Sequence, residues 1–158
     1  MSSTTPSALI ETLSGHVRKS VAKRLRPSET VKVTLRGASS SALVCTDQRV
    51  LIVKIGFMTD WFWGAQIFET TPGAVADLVI RKDADAGYCD IVTDGHWAVS
   101  KSFWDYDCDH PKGRVAPNRL ALISWSDATR FQQARDTILQ LAAAARPPQP
   151  DPLDRSAA

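Results

Sequence analysis

The densest group of ligand-type side chains lies in a short acidic segment, residues 105–110, with the sequence DYDCDH. Its alternating aspartates resemble the opening of a calcium-binding loop, whose sixth position is glycine and whose twelfth is glutamate. Here those positions are His110 and Ala116, so the spacing does not predict a calcium site. Zinc needs four ligands at recognised spacings, and Cys108 with His110 supplies only two. The segment is predicted to be a solvated acidic loop, and neither a metal site nor a cofactor is expected.

Nucleophilic catalysis would need a cysteine or serine beside a histidine that a third group orients. Cys89 and His96 lie on either side of the dipeptide Asp94-Gly95 and could approach each other, but such proximity is common in hairpins. Cys45 lies within an apolar run and is predicted to be a small core residue. The sequence contains no glycine-rich phosphate loop and no H-E-x-x-H motif. No catalytic residues are predicted, and the chain is not expected to be an enzyme.

Length and composition narrow the class of protein. The 158 residues suit one domain, and the net charge of +2 is too balanced to predict a nucleic-acid partner. Three cysteines, an odd number without C-x-x-C spacing, do not indicate a secreted disulfide framework. The sequence has no run near the ~18 apolar residues of a membrane span, and its start lacks the features of a signal peptide. A cytoplasmic location is expected.

Apolar residues at spacings of three and four predict an amphipathic helix over residues 7–26, after a flexible leader at residues 1–6. The apolar stripe consists of Ile10, Leu13, Val17, Val21 and Leu25. Pro27 ends the helix. The opposite face carries His16, Lys19, Lys23 and Arg26. That face is either simply solvated or a contact for an anionic partner, such as lipid headgroups or an acidic protein.

A series of short strands follows this helix. Alternating and β-branched apolar runs predict them at residues 31–36, 42–46, 49–54, 66–70, 75–82, 88–93, 96–103 and 119–125. The strongest prediction is the hairpin at Ala42–Ile55, which turns at Asp47-Gln48. A second amphipathic helix closes the domain, with its apolar face at Phe131, Ala134, Ile138, Leu141 and Ala145. We therefore expect one domain over residues 7–146 and a disordered tail over residues 147–158.

An aromatic segment follows the hairpin. Between Gly56 and Gly64 lie Phe57, Met58, Trp61, Phe62 and Trp63. Strand alternation cannot place Trp61, Phe62 and Trp63 on one side, so at least one is expected to face outward or the segment protrudes as a loop. Exposed aromatic clusters are typical of protein contacts or membrane interfaces. Packing inside the fold and a binding role are equal alternatives.

Two motifs carry a resemblance to a known family. The segment Ala42–Lys54, ALVCTDQRVLIVK, resembles the strand–turn–strand signature of bacterial pleckstrin-homology (PH-like) domains, in which a T-D-x-R turn follows an apolar strand. The preceding Leu25–Val31, LRPSETV, is similar to their L-x-P-x-E-x-V entry to the first strand. The resemblance spans residues 25–146. It implies an α+β fold, namely a PH-like antiparallel β-barrel or sandwich of about seven strands with an N-terminal helix and a capping C-terminal helix. A lipocalin-like or other small barrel is the alternative.

The resemblance also implies a binding role. Eukaryotic PH-like domains often bind phosphoinositides through basic residues that end the first strand and open the second. Lys32 and Arg36 match the first part of this pattern, but the segment Gly37–Ala42 carries no Lys or Arg. Because a polyphosphate headgroup needs several convergent cations, specific phosphoinositide recognition is not expected.

The leading functional prediction is therefore a non-catalytic module for protein binding or self-association, which uses the aromatic segment or a sheet edge as its interface. One alternative is peripheral membrane association through the basic helix face together with the aromatic segment. Another is a small-barrel ligand binder. The expected partners are a protein, including a second copy of the chain, or an anionic membrane surface.

Overall fold

The structure is a computed structural model, and it describes residues 6–38, 40–55, 66–82, 87–95, 116–122 and 128–147. Helices α1 (Pro6–Glu11) and α2 (Gly15–Arg24) precede four strands. The first four strands are β1 (Val31–Arg36), β2 (Ser41–Thr46), β3 (Val50–Lys54) and β4 (Gln66–Thr70). A 3-10 helix (Pro72–Ala74) leads to β5 (Asp77–Lys82), β6 (Gly87–Val92), β7 (Arg119–Ala121) and the final helix, α3 (Ala128–Ala145).

The strands form two antiparallel sheets in sequence order, β1-β2-β3-β4 and β5-β6-β7. Strands that follow one another in the chain are neighbours within each sheet, which is the common arrangement. A bridge between Gly37 and Leu122 joins the end of β1 to the end of β7, and the amide of Ala38 donates to the carbonyl of Ala121 at 2.8 Å. The two sheets therefore meet at this edge. The described residues thus form seven strands, with N-terminal helices and a C-terminal helix, and this arrangement confirms the predicted fold class.

The central strands of the first sheet, β2 and β3, are buried on both faces. The inner face of the sheet supplies Leu43, Cys45, Val50 and Ile52 to the main core. Its outer face supplies Ala42, Val44, Leu51 and Val53 to a second core, which α2 covers with Val17 and Val21. Burial on both faces is why β2 and β3 read as continuous apolar runs instead of alternating ones.

A β-bulge at Lys32 adjusts β1 to these two cores. Val31 pairs with Thr46 and Val33 pairs with Cys45, so the register shifts by one residue between them. A regular strand would put Val31 and Val33 on the same face. With the bulge, Val31 joins the outer core and Val33 the inner core, while Lys32 is exposed.

The N-terminal helical region differs from the prediction of one helix over residues 7–26. It is divided between α1 and α2, because the Thr12 hydroxyl donates to the carbonyl of Leu9 at 2.8 Å and Ser14 adopts an extended conformation at the start of α2. The Thr34 hydroxyl of β1 also donates to the Leu9 carbonyl, at 3.0 Å. The predicted stripe nevertheless lies on the protein side, since Leu13, Val17 and Val21 are buried.

Helix α3 closes the main core. It buries Phe131, Ala134, Ile138 and Ala142 at helical spacing, whereas the predicted face residue Ala145 is exposed and Leu141 only half-buried. Two arginines, one within α3 and one directly after it, fasten the helix to β5 and to the segment before β5. Arg135 donates to the Leu78 carbonyl at 2.8 Å and to the Asp77 carboxylate at 2.9 Å, and Arg146 donates to the Val75 carbonyl.

Strand β5 begins two residues later than predicted. The reason is the 3-10 helix before it, in which the Val75 amide donates to the Pro72 carbonyl at 3.0 Å. The predicted strand at residues 96–103 lies outside the described residues, as do most of the leader and tail. In the part of the chain that the structure describes, no helix has the length and apolarity to cross a membrane.

Candidate functional site

The predicted cations of α2 lie on one accessible face. His16, Lys19 and Lys23 are all exposed, and their spacing of three and four residues places them in one row along the helix. Arg26 follows the end of α2 and is also exposed. We call His16, Lys19, Lys23 and Arg26 the basic strip. Their accessibility is what an interaction with an anionic partner requires.

The opposite, apolar side of α2 is packed against the protein, and this packing keeps the basic strip facing solvent. Val17 and Val21 are 1% and 0% exposed, respectively, against the outer face of the first sheet. At the end of the helix, Arg24 donates to the carbonyl and hydroxyl oxygens of Ser20 at 3.0 and 2.7 Å. Basic residues in the last turn also interact favourably with the negative end of the helix dipole. The strip therefore points to solvent from a fixed helix.

Among the described residues, Glu29 lies close enough to Arg26 for their charges to attract, but no carboxylate forms an ion pair with the basic strip. Across residues 6–38, 40–55, 66–82, 87–95, 116–122 and 128–147, no ion pair involves its four side chains. Lys19 and Lys23 are four residues apart, and like charges at that spacing destabilise a helix by roughly 0.2–0.5 kcal/mol. An anionic partner would relieve that repulsion.

The two cations of β1 that match the first part of the phosphoinositide pattern, Lys32 and Arg36, lie apart in the structure. Lys32 and Arg36 are both exposed, but four residues of strand separate them by roughly 13 Å. Lys32 also sits on the bulge, away from the β1–β2 connection. These two cations do not converge on one headgroup.

The T-D-x-R turn has a structural task. The Thr46 hydroxyl accepts hydrogen bonds from the amides of Gln48 and Arg49 at 3.1 and 2.8 Å. The Asp47 carboxylate accepts one from the amide of Thr30 at 2.9 Å. The turn therefore organises itself and holds the chain that enters β1.

Arg49 connects the two motifs of the resemblance. Its guanidinium contacts both carboxylate oxygens of Glu29 at 2.5 and 2.8 Å and one oxygen of Glu69 at 3.0 Å. It also donates to the Arg24 carbonyl at 2.9 Å, at the end of α2. Arg49 is 8% exposed and the Glu29 side chain is 0% exposed, so their contact is shielded from water, whereas Glu69 is an exposed partner. The two motifs thus form one network that fixes α2, and with it the basic strip, to the sheet.

We expect Glu29→Gln to lower the free energy of unfolding by about 1–2 kcal/mol at pH 7, since Arg49 loses its bidentate partner and keeps Glu69. The hydrogen bond from Arg49 holds the pKa of Glu29 below its usual range. A lowered pKa means that this stabilisation is complete above the unfolded value of about 4.3 and is lost as the pH falls through the folded value. Urea denaturation at pH 7 and at progressively lower pH measures the difference, which should shrink below about pH 4. A difference that does not depend on pH would contradict this account.

A buried charged cluster, which the sequence reasoning missed, joins the second sheet to the end of β3. Asp90 and Arg119 face each other across β6 and β7, and Arg119 donates to both carboxylate oxygens at 2.7 and 2.9 Å. Their side chains are 0% and 3% exposed. Arg119 also lies 4.5 Å from the ring centre of Tyr88, a cation–π contact. The signal in the sequence was an acid and a base, each within an otherwise apolar strand.

Lys54 belongs to the same charged cluster. Its ammonium donates to the carbonyl of Ala116 at 2.5 Å, just before β7. Burial, followed by the positive charge of Arg119, lowers the pKa of Lys54 to about 8, and Asp90 opposes the shift. Lys54 thus places a second cation near the Asp90–Arg119 pair, in which Arg119 donates to both carboxylate oxygens.

The described cysteines are core residues. Cys45 and Cys89 are completely buried, and burial raises the pKa of each thiol to about 12. Because the thiolate is the reactive form, neither is suited to be a nucleophile. Cys45 is therefore the small core residue that was predicted, and Cys89 would be a poor partner for His96, which lies outside the described residues.

Other predicted residues also lie outside the described part of the chain. They are Phe57, Met58, Trp61, Phe62, Trp63, Cys108 and His110. Their roles stay predictions. Among the residues that are described, no three His, Cys, Asp or Glu side chains are grouped to hold a metal ion.

Comparison with known proteins finds similarity at the level of fold. No protein-family model matches the chain, and no curated protein matches it. It is similar to the crystal structure of a pleckstrin homology domain from Shewanella amazonensis, with a TM-score of 0.47, 13% identity, and coverage of 82% of this chain and 97% of the other. It is also similar to a DUF1696 family protein with a pleckstrin-homology domain from Shewanella loihica, with a TM-score of 0.45, 9% identity, and coverage of 77% and 88%.

Proposed function

We propose that this chain is a non-catalytic binding domain that docks on anionic membrane surfaces through the basic strip. The observation that carries the proposal is the row of exposed cations on a helix whose apolar side is already used within the fold. A helix face that only contacts water does not need charges of a single sign, and solvent-exposed surfaces usually mix acidic and basic side chains. Here residues 16–26 contain six basic side chains, counting His16, and no acid.

The anchoring of α2 decides the mode of contact. Burial of a valine contributes roughly 1.5 kcal/mol or more, so lifting Val17 and Val21 from the sheet would cost several kcal/mol. It would also expose Ala42, Val44, Leu51 and Val53. Insertion of the apolar face of α2 into a bilayer is therefore disfavoured. Contact would be electrostatic, with the domain resting on the headgroups.

Electrostatic contact of this size is weak and sensitive to salt. Each Lys or Arg near an anionic membrane contributes about 1 kcal/mol, so Lys19, Lys23 and Arg26 supply roughly 3 kcal/mol. That corresponds to a preference of about a hundredfold over a neutral surface. Stable attachment takes a second contact. The aromatic segment at residues 57–63 is the candidate for it, since tryptophan favours the membrane interface.

The test is co-sedimentation with vesicles of phosphatidylcholine, with and without phosphatidylserine. We expect binding only to the anionic vesicles, and a loss of at least about tenfold in affinity for Lys19→Glu/Lys23→Glu. Raising the salt from about 0.1 M to 1 M shortens the screening length from about 10 Å to about 3 Å and should release the wild-type chain.

A matched control separates the basic strip from overall charge. Arg36→Glu/Arg130→Glu changes the net charge by the same amount at two exposed sites, on β1 and α3. It should retain most of the binding. An equal loss in both variants, or equal binding to neutral vesicles, would overturn the proposal. If the wild-type chain does not bind anionic vesicles at all, the membrane is excluded and an acidic protein becomes the partner to seek.

A further inference from the structure

We propose that the outer edge of β5 is a self-pairing site for a second copy of the chain, and that Asp77 and Arg135 cap this edge and hold the pairing in check. The proposal does not depend on membrane binding. Among the described residues β5 lies at the edge of its sheet, whose order is β5-β6-β7. An edge strand can pair with another chain through its backbone, and proteins often block such edges with charged side chains.

The backbone polar groups of Leu78 point to the outer edge of β5. Opposite residues in an antiparallel pair alternate between those that exchange hydrogen bonds and those whose amides and carbonyls point away from each other. Leu78 lies opposite Ile91, and the Ile91 amide donates to the carbonyl of Asn118 at 2.9 Å, on the side of β7. Leu78 and Ile91 are therefore a pair of the second kind. By the same alternation, the amide and carbonyl of Ile80 also point to the outer edge.

Side chains occupy both of these Leu78 groups. The Asp77 carboxylate accepts from the Leu78 amide at 2.7 Å, and Arg135 of α3 donates to the Leu78 carbonyl at 2.8 Å. Arg135 also donates to the same Asp77 oxygen at 2.9 Å, so the two side chains form one unit, which we call the edge cap. Just before β5, Arg146 donates to the carbonyl of Val75. A second strand cannot bond to Leu78 while the edge cap is in place.

The sequence of β5, DLVIRK, is complementary to itself in the antiparallel direction. Because Leu78 and Ile80 point to the outer edge, each would exchange hydrogen bonds with the other residue of the second copy. This register places the two Val79 residues opposite each other on the two-fold axis, and Asp77 opposite Arg81 of the second copy. Opposite charges at directly opposed positions stabilise a strand pair. Asp77 would thus keep an arginine partner when it leaves the edge cap, which is why the fitting occupant is a second copy of the chain.

The experiment measures disulfide cross-linking of Val79→Cys in the full chain, with Cys108→Ser as the background of every variant. Opposed residues that do not exchange hydrogen bonds have Cα atoms about 4.5 Å apart, within the range that a disulfide spans. We expect cross-linking to be at least about tenfold faster once Arg135→Ala removes the edge cap, because hydrogen bonds from a charged group no longer compete with strand pairing. Sedimentation should also show more dimer for Arg135→Ala than for the wild-type chain at equal concentration.

Matched variants separate the edge cap from general effects. Arg130→Ala removes an exposed arginine of the same helix and should leave cross-linking of Val79→Cys slow. Ala144→Cys introduces a thiol at an exposed site of α3, and its cross-linking should not respond to Arg135→Ala. Arg81→Glu in the uncapped chain places two acids opposite each other and should reverse the acceleration.

Equal cross-linking of Val79→Cys with and without Arg135 would overturn the proposal. So would an acceleration that Arg81→Glu does not reverse, since the contact would then not be the antiparallel pairing of two β5 strands. If circular dichroism shows that Arg135→Ala is unfolded, Arg135→Met repeats the test, because it keeps an aliphatic side chain but cannot donate to Leu78. Rapid cross-linking while Arg135 is present would mean that the edge is not capped, and the proposal would also fail.

Discussion

Replacing Arg119 with alanine is expected to lower the free energy of unfolding by about 3–5 kcal/mol. The variant leaves the Asp90 carboxylate, which is 0% exposed, without its bidentate partner. Breaking one side of a buried ion pair has this cost because the remaining charge is far from water. The stacking of Arg119 on Tyr88 is lost as well. For a domain of this size the melting temperature should fall by about 10 °C.

Urea and thermal denaturation measure this effect, with Arg130→Ala as the matched control. Arg130 is exposed on α3, and its loss should change stability by less than about 0.5 kcal/mol. The double variant Asp90→Leu/Arg119→Met removes both charges and should be more stable than Arg119→Ala alone. A loss below about 1 kcal/mol for Arg119→Ala would show that the pair does not contribute as its burial indicates.

The second large effect is expected at the junction of the two sheets. A Cβ added at Gly37 would lie 2.5 Å from Leu120 Cδ1 and 2.8 Å from the Ala121 carbonyl oxygen, and it would also collide with the Ser41 hydroxyl. One of these neighbours is backbone, so a rotamer change cannot resolve the clash. Gly37→Ala should therefore destabilise the domain by about 2–3 kcal/mol through overpacking.

The same substitution elsewhere gives the opposite sign. Gly15 begins α2, and a Cβ there would meet nothing within 4 Å. Gly15→Ala should be neutral or stabilise by up to about 1 kcal/mol, because alanine loses less backbone entropy in a helix. Comparing the two variants in one denaturation series isolates the collision from the general effect of glycine replacement. If Gly37→Ala and Gly15→Ala were equally stable, the contact between the end of β1 and β7 would have to accommodate the added methyl group without a loss of stability.

The exposure of the basic strip was predictable from sequence because helical geometry is local. Once Val17 and Val21 are assigned to the buried side, the 100° step between residues places Lys19 and Lys23 on the opposite side. The hairpin at residues 42–55 was equally predictable, since two apolar runs and a short turn define their own pairing. The structure gives β2 and β3 the expected partnership, with Leu43 opposite Ile52.

The break between α1 and α2 was not predictable in the same way. The apolar spacing continues through residues 10–25, which favours one helix. The interruption depends on Thr12 and also on Thr34, which lies on β1 and reaches the Leu9 carbonyl. A contact between residues 25 positions apart leaves no periodic trace in the sequence.

By itself the sequence determined the parts of this protein that obey a short period. These are the helical stripes, the strands with their turns, and from them the fold class. The tertiary structure changed which chemically functional residues matter most. It placed Cys89 in the core as an unreactive thiol, and it brought Lys54, Asp90 and Arg119 together from three strands. Side-chain charge has no periodicity, so the meaning of a buried charge depends on which distant strand lies opposite it.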